Sequence, residues 1–365
     1  MSLMSDGDIE AWLRTLPGGP FLFDPAPARL YSPAELYVGF DPGRPGSLSD
    51  SFDARVAAWL TAGDCTPRKL TIAETIAARL HDTALDRLVA ALVRRRTPSV
   101  AMMGSHSISR DHPAFLQFAL IARSLARKGY LVISGGGPGL MEAANFGAFA
   151  APCADDVLVE ALELLKGPFC AWDSEEWVRS AAEARALVLR HMAGGDPQAT
   201  WTSEAPEAAT SLGIPTWYYG REPPNLFATH IGKYFFNSLR EDGLVSVATA
   251  GIIFGMGEAG TVQEVFQNAS LNYYPPAGKA ATPMIFVGRD YWDPDAGSPA
   301  TGLSVDRKPK PVAPLIRAMA GQAQTPFEAE VQVLDNAEDV VAAIVKGSGA
   351  AEGRRPIAEA KLAAN

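Results

Sequence analysis

The chain is poor in cysteine, in basic charge and in long apolar runs, and each shortage excludes a class of protein. Cys65, Cys153 and Cys170 are the only three cysteines in 365 residues. They form no Cys-x-x-Cys pair and their number is odd, so neither a disulfide framework nor a cysteine zinc site is expected, and a cytoplasmic location is. Lysine and arginine total 32 against 41 acidic residues, a formal net charge of −9. That removes the basic footprint needed to bind a nucleic-acid polymer. A small anion remains allowed, because backbone amides hold phosphate without net positive charge. Every apolar stretch is too short or too interrupted to span a bilayer, and the first residues carry no basic region followed by an apolar run, so neither a membrane partner nor a secretory leader is expected. No His/Asp/Glu cluster has metal-ligand spacing and no Gly-x-Ser-x-Gly elbow occurs, so neither a metal nor a cofactor is expected.

What the chain does have is apolar mass, 47% of its residues, together with 33 glycines and 28 prolines. At about 150 residues per domain, its length fits two domains or one enlarged α/β domain. Residues 1–46 hold seven prolines and six glycines, a density that points to an arm with little regular structure. From Ile72, apolar residues at Ile76, Leu80, Ala84, Leu88 and Leu92 form one helical stripe that ends at Arg94-Arg-Arg96. Residues 1–97 are therefore read as an N-terminal arm and helical extension.

After Pro98 the pattern alternates strand and helix. Strands are expected at 99–103, 130–134, 214–219, 251–254, 283–287 and 331–334. A helix is expected from Pro113 to Gly129, another from about Pro138, and a third from His230 through Leu239. Such alternation means a Rossmann-like, doubly wound parallel sheet covered on both faces, occupying 98–346. The interval from Asn145 to Ile214 exceeds the roughly 30 residues of a simple βαβ unit. It is read as a helical insertion, about 150–210, with helices at 155–165 and 175–192. Residues 293–314 read as a surface loop, and 347–365 as a frayed tail.

Ligands of an open parallel sheet bind beyond the carboxyl ends of its strands. Three loops fall there: Met103-Gly-Ser-His-Ser-Ile-Ser-Arg110, Gly135-Gly-Gly-Pro-Gly139 running into Leu140-Met-Glu-Ala-Ala-Asn145, and Gly255-Met-Gly-Glu-Ala-Gly-Thr-Val-Gln-Glu264. Glycines let a backbone approach a ligand while the following helix aims unpaired amides at it, which suits phosphate. The second loop is neither a dinucleotide fingerprint nor a Walker loop, and by itself it equally describes a tight strand-to-helix connection. In the third, Thr261-x-x-Glu264 also reads as a capping box in which Glu264 only satisfies the Thr261 amide. Ser105 and His106 are placed to meet a base or ribose, or to have no role. Tyr234-Phe-Phe236 reads as core.

Taken together, the loops resemble the lonely guy (LOG) family, often mislabelled lysine decarboxylase, which releases a free base from a nucleoside 5′-monophosphate. Gly135-Gly-Gly-Pro-Gly-Leu-Met141 and Met256-Gly-Glu-Ala-Gly-Thr-Val-Gln-Glu264 match its two loop motifs. Ser105-His-Ser-Ile108 and Glu222-Pro-Pro-Asn225 are closer still to its long bacterial branch, the pyrimidine/purine nucleotide 5′-monophosphate nucleosidases. The likeness covers about residues 70–290. Met256 and Glu258 stand where the family has proline and glycine, and Gly232 stands at the family arginine, for which Lys233 or Arg240 would substitute. The resemblance implies hydrolysis to free base and ribose 5-phosphate by Glu264, Arg240 and Lys233. It implies substrate contacts from Gly104, Ser105, His106, Gly136, Gly137, Gly139, Met141, Glu142, Asn225, Gly257, Gly260 and Thr261. It also implies a homodimer or higher homo-oligomer. A non-catalytic nucleotide-binding module of the same fold is the alternative, and no Ser-x-His-Lys-like segment supports a pyridoxal-phosphate decarboxylase.

Overall fold

Val100, Ile133, Ile252 and Ile285 have no accessible surface. Short runs of such residues become parallel strands because both faces of the sheet are covered. In the computed structural model, which describes residues 21–61, 67–166, 174–192, 195–220, 222–275, 280–296 and 307–349, the chain enters through helices α1 (Pro33–Leu36), α2 (Phe52–Thr61) and α3 (Ile72–Arg95). It continues as β1 (Ser99–Met103), α4 (Pro113–Arg127), β2 (Leu131–Ser134) and α5 (Leu140–Phe149). The insertion folds as α6 (Asp155–Leu165) and α7 (Glu175–His191). Then follow β3 (Ser211–Gly213), β4 (His230–Ile231), α8 (Asn237–Ser246), β5 (Gly251–Phe254), α9 (Ala259–Tyr273), β6 (Met284–Val287), α10 (Arg289–Trp292), α11 (Ala313–Gly321), β7 (Val331–Leu334) and α12 (Ala337–Gly349).

The strands form one sheet in the order β4-β3-β2-β1-β5-β6-β7, with every strand pair parallel. This is the doubly wound, Rossmann-like α/β fold that the sequence predicts. The chain builds outward from β1 to β4, then returns to the other side of β1 to lay down β5. The order therefore reverses between β1 and β5, the place where such sheets open a crevice at their carboxyl ends. Ser105 N donates to Met256 O at 2.8 Å and Gly255 N to Met103 O at 2.8 Å, so the two loops leaving that point are tied together at its base.

Helix α4 matches its sequence signals. His112 accepts from Ala114 N, Pro113 opens the helix, and Phe115, Phe118, Ala122 and Leu125 are buried. Gly129, at φ +86°, turns the chain into β2.

Three sequence expectations need correction. The strand expected at 214–219 lies at Ser211–Gly213. Ile214 N makes a last ladder bond to Ser134 O; Pro215 then has no N–H to continue it, and Trp217 turns into the core. The helix expected from His230 is instead edge strand β4, and helix begins only at Asn237. The Asp82 carboxylate accepts from the amides of Phe235 and Phe236 at 3.0 and 2.9 Å, which satisfies them outside a helix. The buried face of α3 keeps Leu92 of the expected stripe but is otherwise rotated from it, running through Ala78, His81, Asp82, Leu85, Val89 and Val93, with Ile76, Leu80, Ala84 and Leu88 half-buried. His81 and Asp82 are on it because they bond each other, and His81 also reaches the Tyr31 hydroxyl.

The helices of the insertion lie where expected, to within one residue. Of the loop expected at 293–314, Pro294–Ala296 form a 3-10 turn, 297–306 lie outside the described residues, 307–312 carry no regular structure, and α11 begins at Ala313. The arm is described only from residue 21; the tail expected at 347–365 starts later, since 347–349 continue helix α12, and 350–365 lie outside the described residues. Among the described residues no helix is long and apolar enough to cross a membrane.

The arm and α2 are fastened to the sheet by packing and by one buried charge pair. Phe23 packs on Phe235 with ring centroids 4.3 Å apart. Asp53 accepts from Trp217 Nε1 at 2.7 Å and pairs with the ammonium of Lys233 at 2.5 Å. Lys233 is fully buried; burial pulls its pKa down and Asp53 opposes the pull. Asp53→Ala leaves that cation without its counter-ion and the indole N–H without its acceptor, and is expected to cost about 3–5 kcal/mol of unfolding free energy by urea titration. Adding Lys233→Met to Asp53→Ala should recover part of the loss, since the unpaired charge is then gone.

Candidate functional site

The crevice between the β1 and β5 loops opens into a cavity of about 490 Å³, within the range that holds a small ligand. One wall is the β1 loop, with Met103, Gly104, Ser105 and His106. The opposite wall is the first turn of α9, with Glu258, Ala259, Gly260 and Thr261. Met141, from the first turn of α5, completes the side nearest β2. The far end is formed by Tyr219, Glu222, Arg240, Glu241 and Glu264.

The start of α9 decides what Glu264 does. The helix begins at Ala259, with Glu258 at its N-cap and no side chain capping it. Thr261 is thus already helical, and the capping box read from Thr261 and Glu264 does not form. A capping box does form at the start of α3, between Thr71 and Glu74. The first amides of α9 have no intrahelical acceptor, and their residues line the cavity. Glu264 lies further along the same helix, with its side chain only 9% exposed.

Glu264 Oε1 lies 3.8 Å from Arg240 Nη1. Arg240 is aimed by its Nε, which donates to Ile214 O at 2.9 Å. Glu241, next to it on α8, accepts from Asn237 Nδ2 and Gln263 Nε2. Burial pushes the Glu264 carboxyl up to about 7; Arg240 works against that rise, while Glu241 and Glu222 add to it. A carboxyl that titrates near neutrality on a cavity wall is suited to acid–base or cation-stabilising chemistry.

The structure brings together Gly104, Ser105, His106, Met141, Arg240, Gly260, Thr261 and Glu264 of the residues that the sequence singles out. It places the others behind the walls. Gly136 and Gly139 have positive φ, and a Cβ on Gly139 would strike the Ser105 carbonyl, which accepts Leu140 N at 3.0 Å. A Cβ on Gly137 would meet Glu222 Oε1 at 2.5 Å, and one on Gly135 would meet Arg240 Nη2 at 2.6 Å. The β2 glycine loop is therefore filled by the protein's own side chains and backbone, and its glycines make room for Glu222 and Arg240. Gly257 lies close under Thr261, and its carbonyl accepts the Tyr291 hydroxyl.

Asn225 braces the glycine loop from behind, donating from Nδ2 to Gly137 O and to Asn145 Oδ1. The carboxylate of Glu142 is taken by Arg110, which also bonds Ser180 and the Trp177 carbonyl and so joins α5 to α7. Lys233, bound to Asp53, donates to Glu222 O at 3.0 Å and holds the Glu222 segment in place. Of the two cations considered for the arginine position, Arg240 is in the cavity and Lys233 is beneath it.

Sequence reasoning missed Glu241, Tyr219, Arg307 and Lys310. Glu258 pairs with Lys310 Nζ at 2.7 Å and Arg307 Nη1 at 3.3 Å, and both cations hold its carboxyl below the usual range. Glu241 is one residue from Arg240 on a helix, so its proximity is local once α8 is known. Arg307 and Lys310 arrive from a proline-rich stretch with no signal linking it to the cavity. Among the described residues no group of three or more His, Cys, Asp or Glu side chains is arranged to hold a metal ion.

Because Glu264 titrates near 7 in the folded chain and near 4.5 when unfolded, the native state binds the extra proton between those values. Its contribution is therefore harmless below pH 4.5, and destabilises increasingly as pH rises to 7. Glu264→Gln should stabilise the protein relative to wild type, by an increment that grows roughly 2–3 kcal/mol between pH 5 and pH 8 in urea titrations. The chain matches no protein-family model, and no curated protein is significantly similar to it.

Proposed function

We propose that the protein hydrolyses the N-glycosidic bond of nucleoside 5′-monophosphates. The observation that carries this reading is the buried Glu264 carboxyl, titrating near 7 beside Arg240, in a cavity that the first turn of its own helix, α9, also lines. The resemblance of the loop motifs supplies the substrate class.

In the proposed reaction the C1′–N bond breaks with its electron pair going to the base, leaving oxocarbenium character on the ribose. Ionised Glu264 stabilises that charge and orients a water molecule. The water oxygen adds to C1′, one proton passes to Glu264 and on to solvent or base, and the products are free base and ribose 5-phosphate. The phosphate, held at the amides of Ala259, Gly260 and Thr261, fixes the sugar relative to the carboxylate. Arg240 is a positioning residue: it reaches Glu264 and favours its ionised form. The same resemblance implies a homodimer or higher homo-oligomer; Leu116 and Leu120, exposed one turn apart on α4, supply apolar surface for such a contact.

The reading is tested by incubating the protein with AMP, GMP, CMP, UMP and IMP and following ribose 5-phosphate. Product should form with at least one of them, and Glu264→Gln should lower kcat by about 10²–10⁴-fold while mononucleotide binding persists. Since the carboxylate is the working form, kcat should rise with pH through about 7. Binding without product from any of the five would favour the non-catalytic module, and wild-type turnover by Glu264→Gln would remove the residue from the mechanism.

A further inference from the structure

We infer that Arg307 and Lys310 are the cations that receive a ligand's phosphoryl group in this cavity, and that Glu258 is the internal counter-ion which the phosphate displaces. The inference rests on reading the cavity as a phosphate-ester site, and adds to it a clasp on the rim.

Among the described residues the cavity wall alone is a poor anion site: Glu222, Glu241, Glu258 and Glu264 line it together with one guanidinium, that of Arg240. A dianionic phosphate entering that field needs further positive charge within reach. Arg307 supplies it at the seam of the two walls. Its Nη1 reaches Ser105 Oγ at 3.2 Å and Glu258 Oε1 at 3.3 Å, and its Nη2 reaches Ser107 O and Oγ at 3.2 and 2.9 Å. One guanidinium thus bridges the β1 loop to the N-cap of α9. Lys310 is held beside it by the Tyr291 hydroxyl at 3.0 Å, and Tyr291 in turn donates to Gly257 O.

Glu258 occupies the N-cap of α9 without capping it. Its side chain is one methylene longer than the aspartate that suits this position, and it reaches out to Lys310 and Arg307 instead. That leaves the amides of the first turn facing the cavity. The Glu258 side chain is 56% exposed, and an ion pair in so much water is weak. A phosphomonoester offers three oxygens, two formal charges and a fit to the planar guanidinium, and so outcompetes a single carboxylate for the same cations. Before a ligand arrives, Glu258 keeps Arg307 and Lys310 ordered at the rim; afterwards they close on the phosphate.

The test is calorimetric titration with ribose 5-phosphate, with free ribose as the uncharged control. Arg307→Ala and Lys310→Ala should each weaken ribose 5-phosphate by tenfold or more, leave ribose unchanged, and flatten the salt dependence of binding. Glu258→Gln should tighten ribose 5-phosphate severalfold, a sign that loss of structure would not produce. Wild-type affinity in both alanine variants, or weaker binding in Glu258→Gln, overturns the clasp. Heat of binding is read without turnover. A wild type that binds ribose 5-phosphate and shifts as stated in the variants, yet releases no base, keeps the clasp and refutes hydrolysis. A wild type that releases ribose 5-phosphate from a mononucleotide but does not bind it in the titration overturns the clasp and keeps hydrolysis.

Discussion

A carboxylate withdrawn from water raises the free energy of the protein that carries it, and the region around Glu264 is organised around that burden. The Arg240 guanidinium stands 3.8 Å away and the carboxylates of Glu222, Glu241 and Glu258 line the same space, so the charge is tolerated rather than neutralised. The outcome is a group poised between its two protonation states near pH 7. Had Arg240 formed a close two-point pair with Glu264, the carboxyl would be held ionised and inert. Had there been no cation, it would stay protonated. Arg240 is kept at this intermediate distance by its separate bond to the Ile214 carbonyl, where β3 has just left the sheet.

The surrounding polar network exists to hold these few atoms. Ser134, Asn145 and Asn225 bond one another and the backbone of the β2 glycine loop, fixing a turn whose missing side chains leave space for Glu222 and Arg240. Lys233 grips the Glu222 carbonyl from below and is itself held by Asp53 of the N-terminal region. Through these contacts α2, far from the cavity in sequence, takes part in shaping its acidic end. Buried polar groups of this kind are stable only when every partner is present.

Much of the frame was legible in the amino-acid order because local signals agree with it. Pro113 and Gly129 bracket α4, and the short apolar runs of β1, β2, β5, β6 and β7 mark a covered sheet. The errors occur where long-range contacts overrule local preference. Trp217 and Tyr218 suit a strand, but Pro215 ends the ladder and Asp53 draws the indole inward. His81 and Asp82 lie off the apolar stripe of α3 read from the sequence, yet their mutual bond and the Asp82 contacts to residues 235 and 236 put them on the helix's buried face. Within the site, Glu264 and the α9 loop were readable because they are contiguous. Glycines that serve a ligand and glycines that serve a neighbouring side chain have the same spacing, so the β2 loop could not be assigned without coordinates. Arg307 could not be found at all, since Ser105 and Ser107 lie at least 200 residues earlier and Glu258 lies 49 residues earlier.

Tyr31 exchanges both backbone hydrogen bonds with Ile231, so a single residue of the arm runs antiparallel along the outer side of β4. Sheets with an unpaired border invite pairing by other chains, and here the covering residue is synthesised long before the border it covers. During synthesis the arm must wait, unpaired, until β4 has emerged and joined β3. Closure of that border joins residues two hundred positions apart, a span whose closure costs more chain entropy than the pairing of strands close in sequence. Until then the nascent chain exposes its two-residue margin, and the brevity of β4 limits what a stray strand could grip.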